Sequence, residues 1–227
     1  MIKIKSLIKK YGDRLVLEIN DIEFKQNSIY AILGPNGSGK STLLRIISGV
    51  ERDFEGQVSF SENGANRADI AYLPQRPYLF DLTVMDNVAL GIRKQENAQA
   101  KVLEALRQVG MESFAKAKMC SLSGGESQRV AVARTIVCDC GILLLDEPAS
   151  SVDIKSMRLV EECIKSTAKK SHKTVIFTTH SPSQALRLAS EIIILIEGEI
   201  AEKGNPEDVL KRPINPKTSD FLENWRL

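Results

Sequence analysis

Long apolar runs are missing from this chain of 227 residues: the most extended, Gly141–Leu145 and Ile192–Ile196, fall far short of the ~20 residues that cross a bilayer. The first residues, Met1-Ile2-Lys3-Ile4-Lys5, alternate charge with apolar side chains and hold no signal-peptide core, so a cytosolic protein is expected. Excess charge is missing too. Lys and Arg number 31 against 29 Asp and Glu, a formal net charge of +2, which gives no long-range field toward nucleic acid or anionic lipid, and no strong local basic patch stands in for one. The four cysteines (Cys120, Cys138, Cys140, Cys163) follow no disulfide framework. Cys138-Asp139-Cys140 lacks the second pair that a zinc site needs, and the thiols read as buried. Internal repeats, low-complexity tracts and charged tails are also absent.

What remains is an ordinary globular composition, 43% hydrophobic and 26% charged, long enough for one large domain with a lobe inserted in it. Alternating apolar and polar residues predict half-buried strands over Met1–Lys5 and Leu15–Phe24, with a turn at Tyr11-Gly12-Asp13. Ser28–Leu33 reads as a buried strand, followed by a glycine-rich loop and a helix over Lys40–Ser48. Gln57–Phe60 and Ile70–Leu73, with a turn at Asn63-Gly64, are expected to extend the antiparallel part. Helical periodicity then takes over from Val84 to about Val137. Strand and helix alternate again after it: a strand at Ile142–Leu145, a helix at Met157–Lys169, a strand at Thr174–Thr178 and a helix at Ser183–Leu188. A hairpin of Ile192–Ile196 and Glu199–Glu202 closes the pattern about Glu197-Gly198. Such alternation implies a parallel sheet with crossover helices. The fold expected is therefore α/β, with a mixed-sheet core and an N-terminal antiparallel β-subdomain (1–83 and 138–227) and an inserted α-helical subdomain (84–137).

Gly34-Pro35-Asn36-Gly37-Ser38-Gly39-Lys40-Ser41 has the first Gly, last Gly, Lys and Ser at the spacing of a phosphate-binding loop, after a strand and before a helix. Glycine is needed because the backbone must curl until its N–H groups converge on a phosphate, which a Cβ would obstruct. Lys40 supplies a point charge, the helix N-terminus adds its dipole, and Ser41 offers a hydroxyl to Mg²⁺. Ile142-Leu143-Leu144-Leu145-Asp146-Glu147 delivers two adjacent carboxylates at the end of an apolar strand, and strand alternation lets them take different tasks: Asp146 toward Mg²⁺, Glu147 toward an attacking water. Alone, this pair would read as two solvated acids.

Leu122-Ser123-Gly124-Gly125-Glu126, followed by Gln128-Arg129, resembles the signature motif of the ABC ATPase family, and from Tyr11 to about Gly204 the chain is similar to that family. Ser123, Gly124 and Gly125 at a helix start make an anion site. The resemblance implies that this site faces the γ-phosphate of ATP bound by a second copy. It further implies a nucleotide site of Gly34 to Ser41 and Thr42, with Tyr11 stacked on adenine, and Gln75 touching Mg²⁺ beside Ser41 and Asp146. Glu147 would be the base, His180 the switch residue on the γ-phosphate, and Lys40 the phosphate clamp; Asp153, in Ser150-Ser151-Val152-Asp153, would lie in a loop communicating across the dimer. A lone strand-end histidine such as His180 is otherwise more often structural. Ser127, where Gln or Lys is common, and Ser181, where Asp is common, depart from the pattern without touching phosphate or metal.

The expected activity is ATP hydrolysis with ATP and Mg²⁺, energising transport through a separate transmembrane permease at the cytoplasmic face of the membrane, as a homodimer. Pro77-Tyr78-Leu79-Phe80 is apolar and aromatic, suiting either a permease-docking surface or packing between lobes. Import, served indirectly by an extracytoplasmic solute-binding protein, is favoured because Lys116–Ser121 lacks the acidic Glu-Arg-Gly element of many exporters and no membrane domain is fused. Gln75–Asp81 together with Ala149–Asp153 is similar to tungstate or molybdate uptake cassettes; phosphate or amino-acid uptake stays open. An exporter cassette is one alternative. A soluble ABC ATPase acting on DNA or ribosomes is another, but Thr42–Leu122 has no room for a coiled coil and the chain holds one cassette, so no nucleic-acid partner is expected.

Overall fold

The computed structural model describes residues 1–60, 69–92, 97–150, 152–223 and 225; the Asn63-Gly64 turn and Ser151 fall outside them. A three-stranded antiparallel sheet carries β1 (Ile2–Tyr11) in the middle, flanked by β2 (Arg14–Phe24) and β4 (Glu55–Phe60). The larger sheet runs β5-β6-β7-β3-β8-β9, built from β3 (Ile29–Leu33), β5 (Ile70–Leu73), β6 (Ile142–Asp146), β7 (Thr174–Thr179), β8 (Glu191–Ile196) and β9 (Glu199–Gly204). Its first five strands are parallel and β9 is antiparallel to β8, so the expected α/β fold with a mixed sheet is the one found.

One expectation was wrong. The Ile70–Leu73 strand does not extend the antiparallel sheet but pairs in parallel with β6, from Ile70 opposite Ile142 to Leu73 opposite Leu145. A short apolar run carries no mark of its direction or partner; burial on the sheet edge beside the wholly buried β6 decides it.

The parallel sheet separates two hydrophobic cores because successive side chains point to opposite faces. Ala31, Leu33, Leu143, Leu145, Val175 and Phe177 face the helices on one side. Tyr30, Ile32, Ile142, Leu144, Ile176 and Leu195 face the other, where they meet α1 (Lys40–Ser48) and the inner side of β1 and β2. Between β5 and β6 the chain forms α2 (Val84–Ala89), α3 (Ala98–Gln108) and α4 (Gly124–Ile136), capped by Thr83 on α2 and Ser123 on α4. After β6 come α5 (Ile154–Lys170) and α6 (Pro182–Leu188).

Two short C-terminal helices, α7 (Pro206–Lys211) and α8 (Pro216–Glu223), were not read from the sequence, although Asn205-Pro206-Glu207 spells a helix start: cap, proline at the first position, acid in the first turn. The expectation of uniformly buried thiols also needs correction, since Cys140 and Cys163 are buried but Cys120 is exposed and Cys138 half-buried. Cys120 lies in a single 3₁₀ turn, Met119–Ser121, which buries Met119 and leaves the two residues after it on the outside. Among the described residues no cluster of His, Cys, Asp or Glu could hold a metal ion, and no helix is long and apolar enough to cross a membrane.

Two bulges tune β1. Ser6 adopts φ 49° where the register with β4 shifts between Lys5 and Ile8, so the inward-facing set changes phase from Ile2 and Ile4 to Leu7 and Lys9. A second shift, between Lys9 and Lys10, leaves Val16 of β2 without a partner on β1. A Cβ on Gly39 would stand 3.0 Å from the Val16 carbonyl oxygen, and one on Gly198 2.6 Å from it, so both glycines permit close approach. Glu18 N–H donates to Gly198 O and Gly198 N–H to Ser38 O, which locks β2, the glycine loop and the β8–β9 hairpin together.

Candidate functional site

The glycine loop leaves β3 at Gly34 and enters α1 at Lys40. Gly37 and Gly39 hold φ 82° and 104°, the left-handed region that favours glycine, and a Cβ on Gly34 would lie 1.9 Å from Leu195 O. The loop therefore curls tightly against β8, presenting the N-terminus of a nine-residue helix. Lys40 is buried, and its ammonium donates to Gly34 O and Pro35 O, both at 2.9 Å. Burial pushes its pKa below the usual lysine range, opposed by the carboxylates of Glu147 and Asp146. The buried Ser38 hydroxyl has no partner, an orphan polar atom inside the cradle where an anion's oxygens would be received. Thr42 is buried with its hydroxyl accepting from Arg45 Nη2 (3.3 Å), and the Ser41 hydroxyl stands beside it on the first turn.

The acidic pair sits at the end of β6 and is organised by a residue that sequence reasoning missed. Thr178 of β7, opposite Asp146 in the parallel register, donates from its hydroxyl to Asp146 Oδ1 (2.6 Å) and accepts from the Glu147 backbone N–H (2.9 Å). Glu147 has φ 48°, a costly conformation for a non-glycine residue; it follows the last residue of β6, so this left-handed turn, and not the strand alternation expected from the sequence, sets its direction. Its carboxylate accepts from Gln75 Nε2 (3.2 Å) and stands 3.7 Å from His180 Nδ1. Gln75, Asp146, Glu147 and His180, from the ends of three neighbouring strands, β5, β6 and β7, thus meet beside Lys40. The Tyr72 hydroxyl, pushed up to about 12 by burial and then by the Asp146 charge, stays neutral under it.

Tyr11 ends β1 with its ring partly exposed and its hydroxyl donating to Glu51 Oε2 (2.9 Å). Ser123 and Gly124 are exposed at the start of α4. Ser123 caps the helix in a reciprocal box with Glu126, whose carboxyl is held below the usual range first by the Ser123 backbone N–H and then by its hydroxyl. Among the described residues no hydrogen bond joins Ser123, Gly124 or Gly125 to the glycine loop. Asp153 caps α5, accepting from Lys155 N and Ser156 N. Arg134 Nη2 donates to Tyr78 O (2.7 Å), and buried Asn87 pairs with both the N–H and the carbonyl of Phe80. That leaves the Tyr78 and Phe80 rings exposed edge to face, 5.1 Å apart, beside a cleft of about 270 Å³ that includes Met119 and Ser127.

With this geometry in hand, the comparisons decide the family: the model described as ABC transporter matches residues 17–150. The chain belongs to the ABC transporter ATP-binding family. A second model, an AAA domain described with a putative AbiEii toxin, matches residues 118–184 within the same fold. The tungstate uptake system ATP-binding protein TupC of Peptoclostridium acidaminophilum is 39% identical over 88% of this chain and 97% of that protein. The sulfate/thiosulfate import ATP-binding protein CysA of Bacillus cereus is 35% identical over 100% of this chain and 67% of its own length. Among solved structures, the dimeric post-hydrolysis ATP-binding cassette MJ0796 bound to ADP and Pi superposes with TM-score 0.80 and 31% identity over 91% of this chain and 99% of that one. An ATP-bound bacterial Atm1-family ABC exporter gives TM-score 0.86 and 27% identity, covering 100% of this cassette but 42% of the exporter chain. As a family member the protein is an ATPase of a transport system, in accord with the expectation from the signature motif.

Proposed function

We propose that this ABC cassette is the peripheral ATPase subunit of an importer, working as a homodimer beneath a separate membrane permease at the cytoplasmic face. The observation that carries the hydrolytic part is the Glu147 carboxylate accepting from the Gln75 amide, with the His180 imidazole 3.7 Å away and a buried lysine near it. Lys40 would exchange its two carbonyl acceptors for the β- and γ-phosphates, while the backbone N–H groups from Gly37 to Ser41 and the Ser38 hydroxyl receive phosphate oxygens. Tyr11 would stack on adenine. Glu147 accepts the proton of the attacking water, Gln75 and His180 hold its carboxylate in line, and His180 meets the γ-phosphate. Ser41, Asp146 and the Gln75 carbonyl form an all-oxygen donor set that fits Mg²⁺, whose positive charge would offset that of the phosphates.

The exposed Ser123 and Gly124, with half-buried Gly125 next to them, support a sandwich in which each copy's α4 start closes on its partner's nucleotide, with residues 84–137 moving as a lobe on the core. The exposed Tyr78 and Phe80, pinned by Arg134 and Asn87 beside Gln75, support permease docking there. The tungstate and sulfate systems to which TupC and CysA belong favour an oxyanion as cargo, tungstate or molybdate first, delivered by a solute-binding protein.

Glu147→Gln should bind ATP and accumulate as a closed dimer, with turnover lowered by at least ~100-fold. Wild-type turnover in that variant would remove Glu147 from the base role. Co-expressed with its permease in vesicles, the cassette should show ATPase activity stimulated by tungstate-loaded binding protein; stimulation by nucleic acid alone would favour the soluble alternative.

A further inference from the structure

Lys9 is a buried lysine that the proposed mechanism does not use. It occupies an inward position of β1, where the phase change at Ser6 would otherwise place an apolar residue, and is 1% exposed. Its ammonium is pinned by the Asp53 carboxylate (3.0 Å), the Asp53 carbonyl and the Glu51 carboxylate (3.3 Å). So held, it lies over the ring of Tyr11, 4.5 Å from the centroid. Glu51 also accepts from the Tyr11 hydroxyl, so one carboxylate fixes both the cation and the ring it covers. Lys9 and Tyr11 are two apart on β1 and so point to one side of the strand; the register shift beside Lys9 places its extra residue, Val16, on β2.

We infer that Lys9 is a positioning residue for the nucleotide base: it backs one face of Tyr11 with a fixed positive charge, leaving the other to stack on adenine. A cation on one face draws π density toward it and makes the opposite face a better partner for an electron-rich purine. The two carboxylates prevent the ammonium from drifting to solvent or to the phosphates, so its charge acts on the base and not on the triphosphate. The inference rests on the reading that Tyr11 stacks on adenine.

Calorimetry with ATP and with inorganic tripolyphosphate, which has no base, separates the roles. Lys9→Met keeps the apolar stem and removes the charge; ATP affinity should fall about three- to ten-fold while tripolyphosphate affinity stays put, and Lys9→Arg should restore most of the ATP loss. Unchanged ATP affinity in Lys9→Met, an equal loss for both ligands, or an arginine variant as weak as the methionine one would overturn the inference. Should Lys9→Met not fold, Glu51→Gln, which removes one of the pinning carboxylates, reads the same contrast between ligands. Tyr11→Ala tells the two levels apart. If it binds ATP as wild type does, the adenine reading fails and takes this inference with it; if it weakens ATP while Lys9→Met does not, only the role of Lys9 falls.

Discussion

Thr178→Val tests whether one hydroxyl holds both acidic residues of the site. Valine has nearly the shape of threonine, and Thr178 is fully buried, so the change removes two hydrogen bonds and leaves packing largely intact. The bond to Asp146 is to a charged acceptor in a residue 2% exposed, worth about 1.5–3 kcal/mol. The Glu147 N–H left without its acceptor costs roughly 1–3 kcal/mol more. Together they predict a loss of about 2.5–6 kcal/mol, or a fall in Tm of roughly 5–24 °C for a chain of this size. Glu147, already at a costly positive φ, would lose its backbone tether, and turnover should drop at least ~10-fold. Thermal unfolding and steady-state ATP turnover, with Thr178→Ser as the control that keeps the hydroxyl, give the answer. A Thr178→Val protein that melts within ~2 °C of wild type and hydrolyses ATP normally would refute the reasoning.

Gly56→Ala should cost at least ~2 kcal/mol in chemical denaturation, because Gly56 sits at φ 97° with a Cβ position 2.2 Å from Ser6 O, backbone that cannot step aside. Arg187→Ala leaves buried Glu161 without its two bonds at 2.9 and 2.7 Å; with half of Arg187 in solvent, screening discounts the loss to about 1–3 kcal/mol, and Arg187→Lys should recover only part because an ammonium cannot fork. Native thiol labelling should modify Cys120 first and spare Cys140 and Cys163 until the chain is unfolded. Burial pushes the Cys163 thiol up to about 12, and the Cys138 thiol, followed by burial, pushes Cys140 up as well; rapid loss of all four thiols in the native protein would contradict this.

The helix at Lys40–Ser48 was legible to the residue because three different signals agree there: a buried strand, a run of glycines and a periodic apolar stretch. The Glu197-Gly198 hairpin was legible for the same reason, with both residues at positive φ as such a two-residue turn requires. Strand partners were not, as Ile70–Leu73 shows, since pairing is chosen by tertiary burial and not by the four residues themselves. The first strand was read as ending at Lys5 because the Ser6 bulge shifts the alternation by one, and a pattern of period two appears to stop where it only changes phase. Thr178 escaped notice because threonine is common in strands and nothing in Thr174–Thr179 distinguishes the hydroxyl that will face a carboxylate. Among the candidate site residues, the structure gathers Lys40, Gln75, Asp146, Glu147 and His180 on one chain; among the described residues, no hydrogen bond ties the serine and glycines opening α4 to them.

Lys40 enters its cavity before any guest does. The ammonium is stripped of water when the chain folds, and the loop's own carbonyls keep it company. In the proposed reading, an incoming triphosphate would meet a cation already desolvated by the fold and held by carbonyls that phosphate oxygens can replace. Part of the work of recognition would then be transferred to folding: desolvating the charge costs the folded chain some stability, and binding would not meet that cost a second time.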